Sequence, residues 1–188
     1  WPALLRAARA RGASDVQVWT AGCSSGDETY TVALEAMRAL GASAPVRILG
    51  TDLSRTALAR ATNGVYRERA VRLVPHRLRA SEFALAPNGT ARIGNAARSL
   101  VRFTRHNLVR DPVPPPGSFD LVLCRNVLIY FDPATAALVH DRLRSAVVPE
   151  GTLLLGTADR LCVPAAVPRA FPPPARRSPV GIEAAPFF

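Results

Sequence analysis

The stretch that decides the fold of this chain is Val16–Gly26, with the sequence VQVWTAGCSSG. Its first five residues predict a buried strand, and the small residues that follow predict a tight turn. After this turn, apolar residues recur at helical spacing up to a stop at Gly41; they are Tyr30, Ala33, Leu34, Met37 and Leu40. A strand, a small-residue turn and a helix together form the opening unit of a parallel sheet.

The same alternation of strand, loop and helix recurs further along the chain. Apolar runs predict additional strands at 46–51, 119–124 and 152–156. Helices are predicted at 54–63 and from Asp132 to about Val148, ahead of a turn at 149–151. We therefore predict an α/β fold with a doubly wound, Rossmann-like parallel sheet.

Residues 64–104 interrupt this alternation, and we predict a small insertion there that is partly helical and partly antiparallel. The Asn88-Gly89 dipeptide is a strong signal for the turn of a β-hairpin. The predicted elements are a helix at 75–84, hairpin strands at 83–86 and 90–93, and a further strand at 100–104.

The composition fits a single globular domain. The chain has 188 residues, of which 48% are hydrophobic and 20% charged. We predict the domain at 1–161, followed by a Pro- and Arg-rich tail at 162–188 that is irregular over 163–179 and ends in an edge strand at 180–188. Since no apolar run has the length of a membrane span and no signal-peptide pattern is present, we expect no membrane insertion. The chain starts at Trp1 rather than Met, so we expect it to be a fragment.

The net charge and the cysteine content indicate which kinds of partner and which kinds of site to expect. The formal net charge is +10 and all 24 basic residues are Arg, which favours acidic partners. These residues form no dense run and aromatic residues make up only 6%, so we expect no nucleic-acid binding. Cys23, Cys124 and Cys162 form no CxxC pair, which argues against a metal site and for reduced thiols in the cytoplasm.

The turn after the first strand predicts a nucleotide-like ligand. Gly22 and Gly26 let a ligand approach the backbone, and the next helix directs its free N–H groups towards the same space. The GxGxxG fingerprint is absent, and Asp27 and Glu28 would repel a pyrophosphate. Their charge suits a cation such as a sulfonium, which favours S-adenosylmethionine over NAD. The alternative is that both acids only complement the helix dipole.

Asp52 ends the second predicted strand, close to the spacing at which an acid binds ribose hydroxyls, and we favour that role. The alternative is that Asp52 caps the helix that begins near Ser54. The turn also matches GxSxG, which would make Ser24 the nucleophile of a hydrolase and His140 its base. We disfavour a hydrolase because the nucleophile normally follows several strands, and because Asp52 would then have no role.

The run Cys124–Asp132, with the sequence CRNVLIYFD, is the most specific stretch of the chain. Arg125 and Asn126 directly follow the carboxyl end of a strand, where sites in open parallel sheets are built. Arg125 can bind a carboxylate through two hydrogen bonds. Tyr130 brings a hydroxyl to an apolar segment; the alternative is that Tyr130 and Phe131 only pack.

Taken in order, these stretches resemble the CheR-type chemotaxis receptor methyltransferases, which are protein-glutamate O-methyltransferases. The resemblance covers about residues 1–161. The matching stretches are 18–31, 50–54, 64–66, 101–103, 107–108 and 119–131. The resemblance implies a Rossmann-like S-adenosylmethionine-dependent methyltransferase sheet with a small inserted antiparallel β-subdomain, which fits residues 64–104.

The resemblance also implies a site, with S-adenosylmethionine as cofactor, S-adenosylhomocysteine as product and no metal. Tyr130 would lie near the transferred methyl and would serve catalysis together with Arg125. The implied cofactor-binding residues are Ala21, Gly22, Gly26, Glu28, Asp52, Asn107, Leu108, Arg125 and Asn126. The substrate would be glutamate side chains on the cytoplasmic helices of a chemoreceptor, and in some members the β-subdomain docks a receptor's tail.

A glutamate substrate is already ionised at neutral pH, so we expect no catalytic base. We accordingly expect no catalytic role for the three histidines, which are His76, His106 and His140.

The chain departs from the family pattern at three places. Residues 1–188 do not include the family's N-terminal helical domain, Thr29 stands where Pro is usual, and Gly156–Asp159 has the sequence GTAD where the family has a segment like GHSE. Two hypotheses therefore stay open: a methyltransferase, and a non-catalytic module that senses the cofactor or scaffolds a partner. The sequence assigns no oligomeric state.

Overall fold

The computed structural model describes residues 1–72 and 74–163. Its strands are β1 (Val16–Ala21), β2 (Val46–Asp52), β3 (Val65–Arg67), β4 (Phe83–Ala86), β5 (Thr90–Ile93), β6 (Val101–Arg105), β7 (Phe119–Cys124) and β8 (Val147–Leu155). Its α-helices are α1 (Pro2–Ala10), α2 (Asp27–Leu40), α3 (Arg55–Asn63), α4 (Glu68–Val71), α5 (His76–Glu82), α6 (Asn95–Ser99) and α7 (Pro133–Ala146). Short 3₁₀ turns occur at Leu128–Tyr130 and Asp159–Cys162.

β1 lies at the centre of a five-stranded parallel sheet with the order β6-β2-β1-β7-β8. Val18 pairs with Ile48 of β2 on one side and with Leu121 of β7 on the other. The chain therefore runs outward from β1 through β2 to β6, and then returns to continue on the other side with β7 and β8. This reversal at β1 is the topology of a doubly wound sheet, so the predicted Rossmann-like α/β fold is confirmed.

Side chains of β1 alternate between two buried cores, as the two-residue period of a strand requires. Val18 belongs to a buried cluster that includes Met37 of α2. Trp19 belongs to a second buried cluster that includes Leu143 of α7. The Trp19 indole is fully satisfied, because its Nε1 donates to Oγ1 of Thr51 at 2.8 Å. Helices thus cover both faces of the sheet around β1, as parallel sheets require.

A small antiparallel sheet with the order β3-β5-β4 lies between β2 and β6 in the chain. The predicted hairpin is confirmed, with Phe83 of β4 paired to Ile93 of β5. Its turn is closed by Asn88, whose Oδ1 accepts from the Thr90 backbone N–H at 3.2 Å, and by Gly89 at φ +72°. β3 adds a third strand that the sequence pattern did not indicate, because three residues are too few to show a period.

The first helix, α1, was also not predicted. Arg11, directly after this helix, forms an ion pair with Asp120 of β7, which is 3% exposed. Asp120 also accepts a hydrogen bond from the backbone N–H of Gln17 at 2.8 Å. The helix is therefore held against the sheet by a contact between distant parts of the chain, for which a local pattern gives no signal.

The predicted turn at 149–151 is wrong. α7 ends at Ala146, and β8 begins at once and includes these three residues. The pairing with β7 shifts register after Val147, so the predicted turn is a bulge within the strand. Gly151 allows this bulge, because a Cβ there would lie 2.7 Å from the carbonyl oxygen of Asp120.

The predictions for the tail, irregular over 163–179 and with an edge strand at 180–188, concern residues that from 164 onward lie outside the described residues. The domain boundaries 1–161 and 64–104 stay predictions. Over the described ranges, no helix combines the length and the apolar character needed to cross a membrane.

Gly26 and Gly89 both have positive φ, +84° and +72°, but differ in the space around them. A Cβ on Gly26 would lie 2.8 Å from Cβ of Ala61 and 3.0 Å from Cζ of Phe103, whereas a Cβ on Gly89 would meet no atom within 4 Å. We expect Gly89→Ala to lower the free energy of unfolding by about 1 kcal/mol through backbone strain alone. We expect Gly26→Ala to lower it by a further 1–3 kcal/mol or so through overpacking. Urea denaturation measures both, and equal losses would contradict the packing of α2 against α3 and β6.

Candidate functional site

The carboxyl ends of β1, β2 and β7 open into one cavity of about 750 Å³. The register of the sheet brings them together, because Ala21 at the end of β1 pairs with the last residue but one of β2 and with the last residue of β7. The predicted site residues on the cavity wall are Gly22, Asp52, Asn107, Leu108, Arg125, Asn126 and Tyr130. Their binding and catalytic roles stay predictions.

The turn after β1 is compact, and Gly22 is required for it. Gly22 has φ +73°, and a Cβ there would overlap the side chain of Val127 in the loop after β7. The Cys23 backbone N–H donates to the carbonyl oxygen of Thr51 at 2.8 Å, which ties the turn to β2. The absence of a side chain therefore lets the loop after β7 close against this turn.

Asp52, the last residue of β2, connects two loops at the cavity. One carboxylate oxygen accepts from the Ser24 backbone N–H and the other from the Ser54 backbone N–H, both at 2.8 Å. The alternative role as helix cap is wrong, because Ser54 is the N-cap of α3 and accepts from the Ala57 N–H at 3.2 Å. Asp52 keeps acceptor capacity towards the cavity, since an ionised carboxylate has about four acceptor sites.

Glu28 does not face the cavity as a free acid. Its Oε1 accepts a hydrogen bond from Nη1 of Arg125 at 2.9 Å, so α2 and the loop after β7 are joined by an ion pair. Arg125, and not Glu28, is the member of this pair on the cavity wall. Among the described residues, Ala21 and Gly26 are likewise absent from that wall: Ala21 is buried at the end of β1, and Gly26 precedes α2.

The loop after β6 forms another part of the wall. Oδ1 of Asn107 accepts from the backbone N–H groups of Val109 at 2.9 Å and Arg110 at 3.1 Å, so this side chain shapes its own loop. His106 packs edge-on against Trp19, and burial lowers the pKa of its imidazole. The ring is therefore neutral at pH 7.

Tyr130 stands at the edge of the cavity with 80% of its surface exposed. It ends a 3₁₀ turn that is anchored by Leu128, which is fully buried. Such an exposed ring contributes little to packing, so the alternative that Tyr130 only packs is wrong. Its hydroxyl is available to a bound molecule.

The geometry gives no support to the hydrolase alternative. Ser24 lies on the cavity wall, but His140 belongs to α7, and its Nδ1 lies 3.4 Å from Oδ1 of the neighbouring Asp141. Within the part of the chain that the structure describes, His140 is not on that wall. Ser24 is thus left without the predicted base.

Sequence reasoning missed a buried acid behind the cavity. Asp159 is fully buried, and its carboxylate accepts hydrogen bonds from the backbone N–H groups of Asn126, Val127 and Leu128 at 2.5, 2.9 and 2.7 Å. In sequence, the segment Gly156–Asp159 stands out only as a departure from a family pattern. The one local signal was an acid three residues after a glycine, which is too common to identify such a role.

Two thiols beside the cavity are buried. Burial raises the pKa of Cys23 and of Cys124 to about 12, whereas Cys162 is partly exposed. In residues 1–72 and 74–163, no three His, Cys, Asp or Glu side chains are grouped so that they could hold a metal ion.

Residues 2–170 match the model of a family described as CheR methyltransferase, SAM binding domain. The chemotaxis protein methyltransferase of Borreliella burgdorferi is 32% identical over 151 residues, which is 79% of this chain and 53% of that protein. The chemotaxis protein methyltransferase of Vibrio parahaemolyticus is 36% identical over 152 residues, which is 78% of this chain and 54% of that protein.

The chain thus spans about half the length of these curated relatives. An uncharacterised 104.1 kDa protein of Rhodobacter capsulatus is 34% identical over 157 residues, which is 82% of this chain but 16% of that protein. Among solved structures, the PH0226 protein from Pyrococcus horikoshii superposes with a TM-score of 0.47 at 16% identity and covers 85% of this chain and 56% of that chain. That likeness is too weak to add to the sheet topology described above.

The buried thiols predict selective reactivity. Because the thiolate is the reactive form, a pKa of about 12 leaves Cys23 and Cys124 almost wholly protonated at pH 8. With the disulfide reagent DTNB at pH 8, we expect the native protein to react rapidly at Cys162 alone, and Cys162→Ser to abolish this rapid phase. All three cysteines should react after denaturation in guanidinium. Rapid reaction of all three in the native protein would contradict the burial of Cys23 and Cys124.

Proposed function

Because this chain belongs to the CheR methyltransferase family, we propose that it forms the catalytic domain of a cytoplasmic protein-glutamate O-methyltransferase. The matched domain of this family binds S-adenosylmethionine, which confirms the cofactor predicted from the sequence. The proposed substrates are glutamate side chains on the cytoplasmic helices of a chemoreceptor. The relatives support a role in chemotaxis, since they are chemotaxis protein methyltransferases.

The observation that carries this proposal is the cavity at the carboxyl ends of β1, β2 and β7. Its volume of about 750 Å³ suits a ligand of nucleoside size. Asp52 stands at this cavity with acceptor sites left for ribose hydroxyls, beyond the two hydrogen bonds it accepts from Ser24 and Ser54. An acid at the end of the second strand is the expected partner of ribose in this kind of sheet.

The remaining chemistry of the cavity also fits S-adenosylmethionine. The guanidinium of Arg125 lies at the cavity wall, and its Nη1 is 2.9 Å from Oε1 of Glu28. We assign Arg125 to the binding of the carboxylate of the cofactor. Leu108 and Val127 supply apolar surface for a base. Asn126 and Asn107 add polar groups at the same wall.

When bound, S-adenosylmethionine supplies a methyl group carried on a positively charged sulfur. A substrate carboxylate oxygen bonds to this methyl group and forms a methyl ester, while the electron pair of the broken C–S bond stays on sulfur. No proton is transferred. The chain needs to provide no base, because a glutamate side chain is ionised at neutral pH. Its residues contribute by aligning the two reactants and by excluding water. Tyr130 is exposed at the edge of the cavity, and we assign it to contact with the incoming side chain.

Asp52→Ala tests the cofactor site. The substitution removes the carboxylate that we assign to ribose, and a hydrogen bond to a charged group contributes about 1.5–3 kcal/mol. In calorimetric titrations with S-adenosylhomocysteine, we expect the wild type to bind and Asp52→Ala to bind about 10- to 100-fold more weakly. Asp141→Ala removes an aspartate of α7 whose side chain is 76% exposed, and it should match the wild type. No binding by the wild type would overturn the proposed function, whereas unchanged affinity of Asp52→Ala would overturn only the ribose role.

Tyr130→Phe tests the transfer step. Transfer of a labelled methyl group from S-adenosylmethionine to a glutamate-rich chemoreceptor helix fragment is measured, with an alanine-substituted fragment as control. We expect transfer only to the glutamate-containing fragment. Because the variant loses a hydroxyl near the reacting groups and nothing else, turnover should fall about tenfold at unchanged affinity for S-adenosylhomocysteine. Unaltered turnover would refute the placement of Tyr130, and cofactor binding without transfer to any fragment would favour the non-catalytic module.

A further inference from the structure

The cavity is backed by one fully buried carboxylate that the proposed chemistry does not use, that of Asp159. Burying a charged group is costly unless it is paired or hydrogen-bonded. Among the described residues, its hydrogen bonds all go to the loop after β7: Oδ2 accepts from the Asn126 N–H at 2.5 Å, and Oδ1 accepts from the N–H groups of Val127 and Leu128 at 2.9 and 2.7 Å. The backbone of that loop therefore satisfies the carboxylate.

Three successive N–H groups can converge on one anion only if the backbone turns sharply. Asn126 supplies this turn, since its φ is +56°, in the left-handed region. Successive amides that alternate between right- and left-handed conformations form a concave anion-binding nest. Here the anion is a side chain of the same protein, so the carboxylate of Asp159 serves as a template for the conformation of Asn126.

Gly156 allows the loop and the acid to come this close. A Cβ on Gly156 would overlap the carboxylate of Asp159 and would lie 3.3 Å from both Cα of Arg125 and the backbone nitrogen of Asn126. The chain after β8 thus passes directly behind the loop after β7. The Gly156 N–H also donates to the carbonyl oxygen of Cys124 at 3.2 Å, which fixes the two segments to one another.

The loop held in this way carries much of the candidate site. Arg125, Asn126, Val127 and Tyr130 all line the cavity, whereas Asp159 does not reach it in the part of the chain that the structure describes. We propose that Asp159 is a positioning residue, which fixes the loop after β7 through its backbone and thereby sets the places of Arg125 and Asn126. This inference rests on the proposed function, because it assigns Asp159 to the same cofactor site.

Asp159→Asn tests this inference with little change in shape. The amide NH₂ group that replaces one carboxylate oxygen cannot accept the hydrogen bond from Asn126. In titrations with S-adenosylhomocysteine, we expect Asp159→Asn to bind at least about tenfold more weakly than the wild type, or about 1.4 kcal/mol. Asp120→Asn is the matched control, because the carboxylate of Asp120 is also buried and accepts from a backbone N–H, that of Gln17, but does not line the cavity in the described part of the chain, so the affinity should stay unchanged.

Amide hydrogen exchange distinguishes local anchoring of the loop after β7 from a general contribution of Asp159 to stability. In the wild type, the amides of Asn126, Val127 and Leu128 should exchange slowly. In Asp159→Asn they should exchange faster, while the amides of β7 keep their protection. Loss of protection throughout β7 would mean that Asp159 only stabilises the domain, and would overturn the positioning role.

The two proposals fail in different ways. Absence of binding by the wild type refutes the proposed function, while exchange at 126–128 still tests the anchoring of the loop. Equal affinity of the wild type and Asp159→Asn refutes the positioning role and leaves the function intact. If Asp159→Asn does not fold, exchange in the wild type decides: protected amides at 126–128 support the inference, and amides that exchange at the unprotected rate overturn it.

Discussion

Parallel pairing of β1 with a neighbour on each side is the constraint on which the rest of this structure depends. Parallel strands end at the same edge of a sheet, so the loops after β1, β2 and β7 converge although they are far apart in the chain. Gly22, Asp52 and Arg125 meet at one cavity for this reason. The same pairing requires apolar cover on both faces, which α2 and α7 supply around Trp19 and its neighbours.

The loop after β7 is the element at which the other parts of the domain meet. Gly22 leaves room for Val127 on the side of β1, Glu28 reaches Arg125 from α2, and Asp159 binds the backbone from behind. Each of these contacts joins segments that are distant in sequence. The shape of the loop is therefore a property of the whole domain and not of its own eight residues, 125–132, a length within the usual range of connecting loops.

Local patterns were enough to predict the central strands, the two long helices and the hairpin, because apolar period, N-caps and the Asn88-Gly89 turn are local signals. The rule that sites form at strand ends then led to Asp52 and Arg125. Asn107 and Leu108 came only from the resemblance to a family. α1, the bulge in β8 and the role of Asp159 could not be predicted, because each depends on tertiary contacts, such as the ion pair between Arg11 and Asp120, which are 109 positions apart.

Among the described residues, Ser24 and Asn126 are the non-glycine residues with positive φ, 49° and 56°, and both line the cavity. A left-handed conformation costs an ordinary L-residue about 1–2 kcal/mol, and Asn somewhat less. Glycine would relieve this cost at either position, but it would also raise the conformational entropy of the unfolded chain, which offsets the gain. Both residues therefore keep backbone strain at the wall of the cavity, where a loop geometry fixed in advance reduces the entropy that any ligand would have to remove.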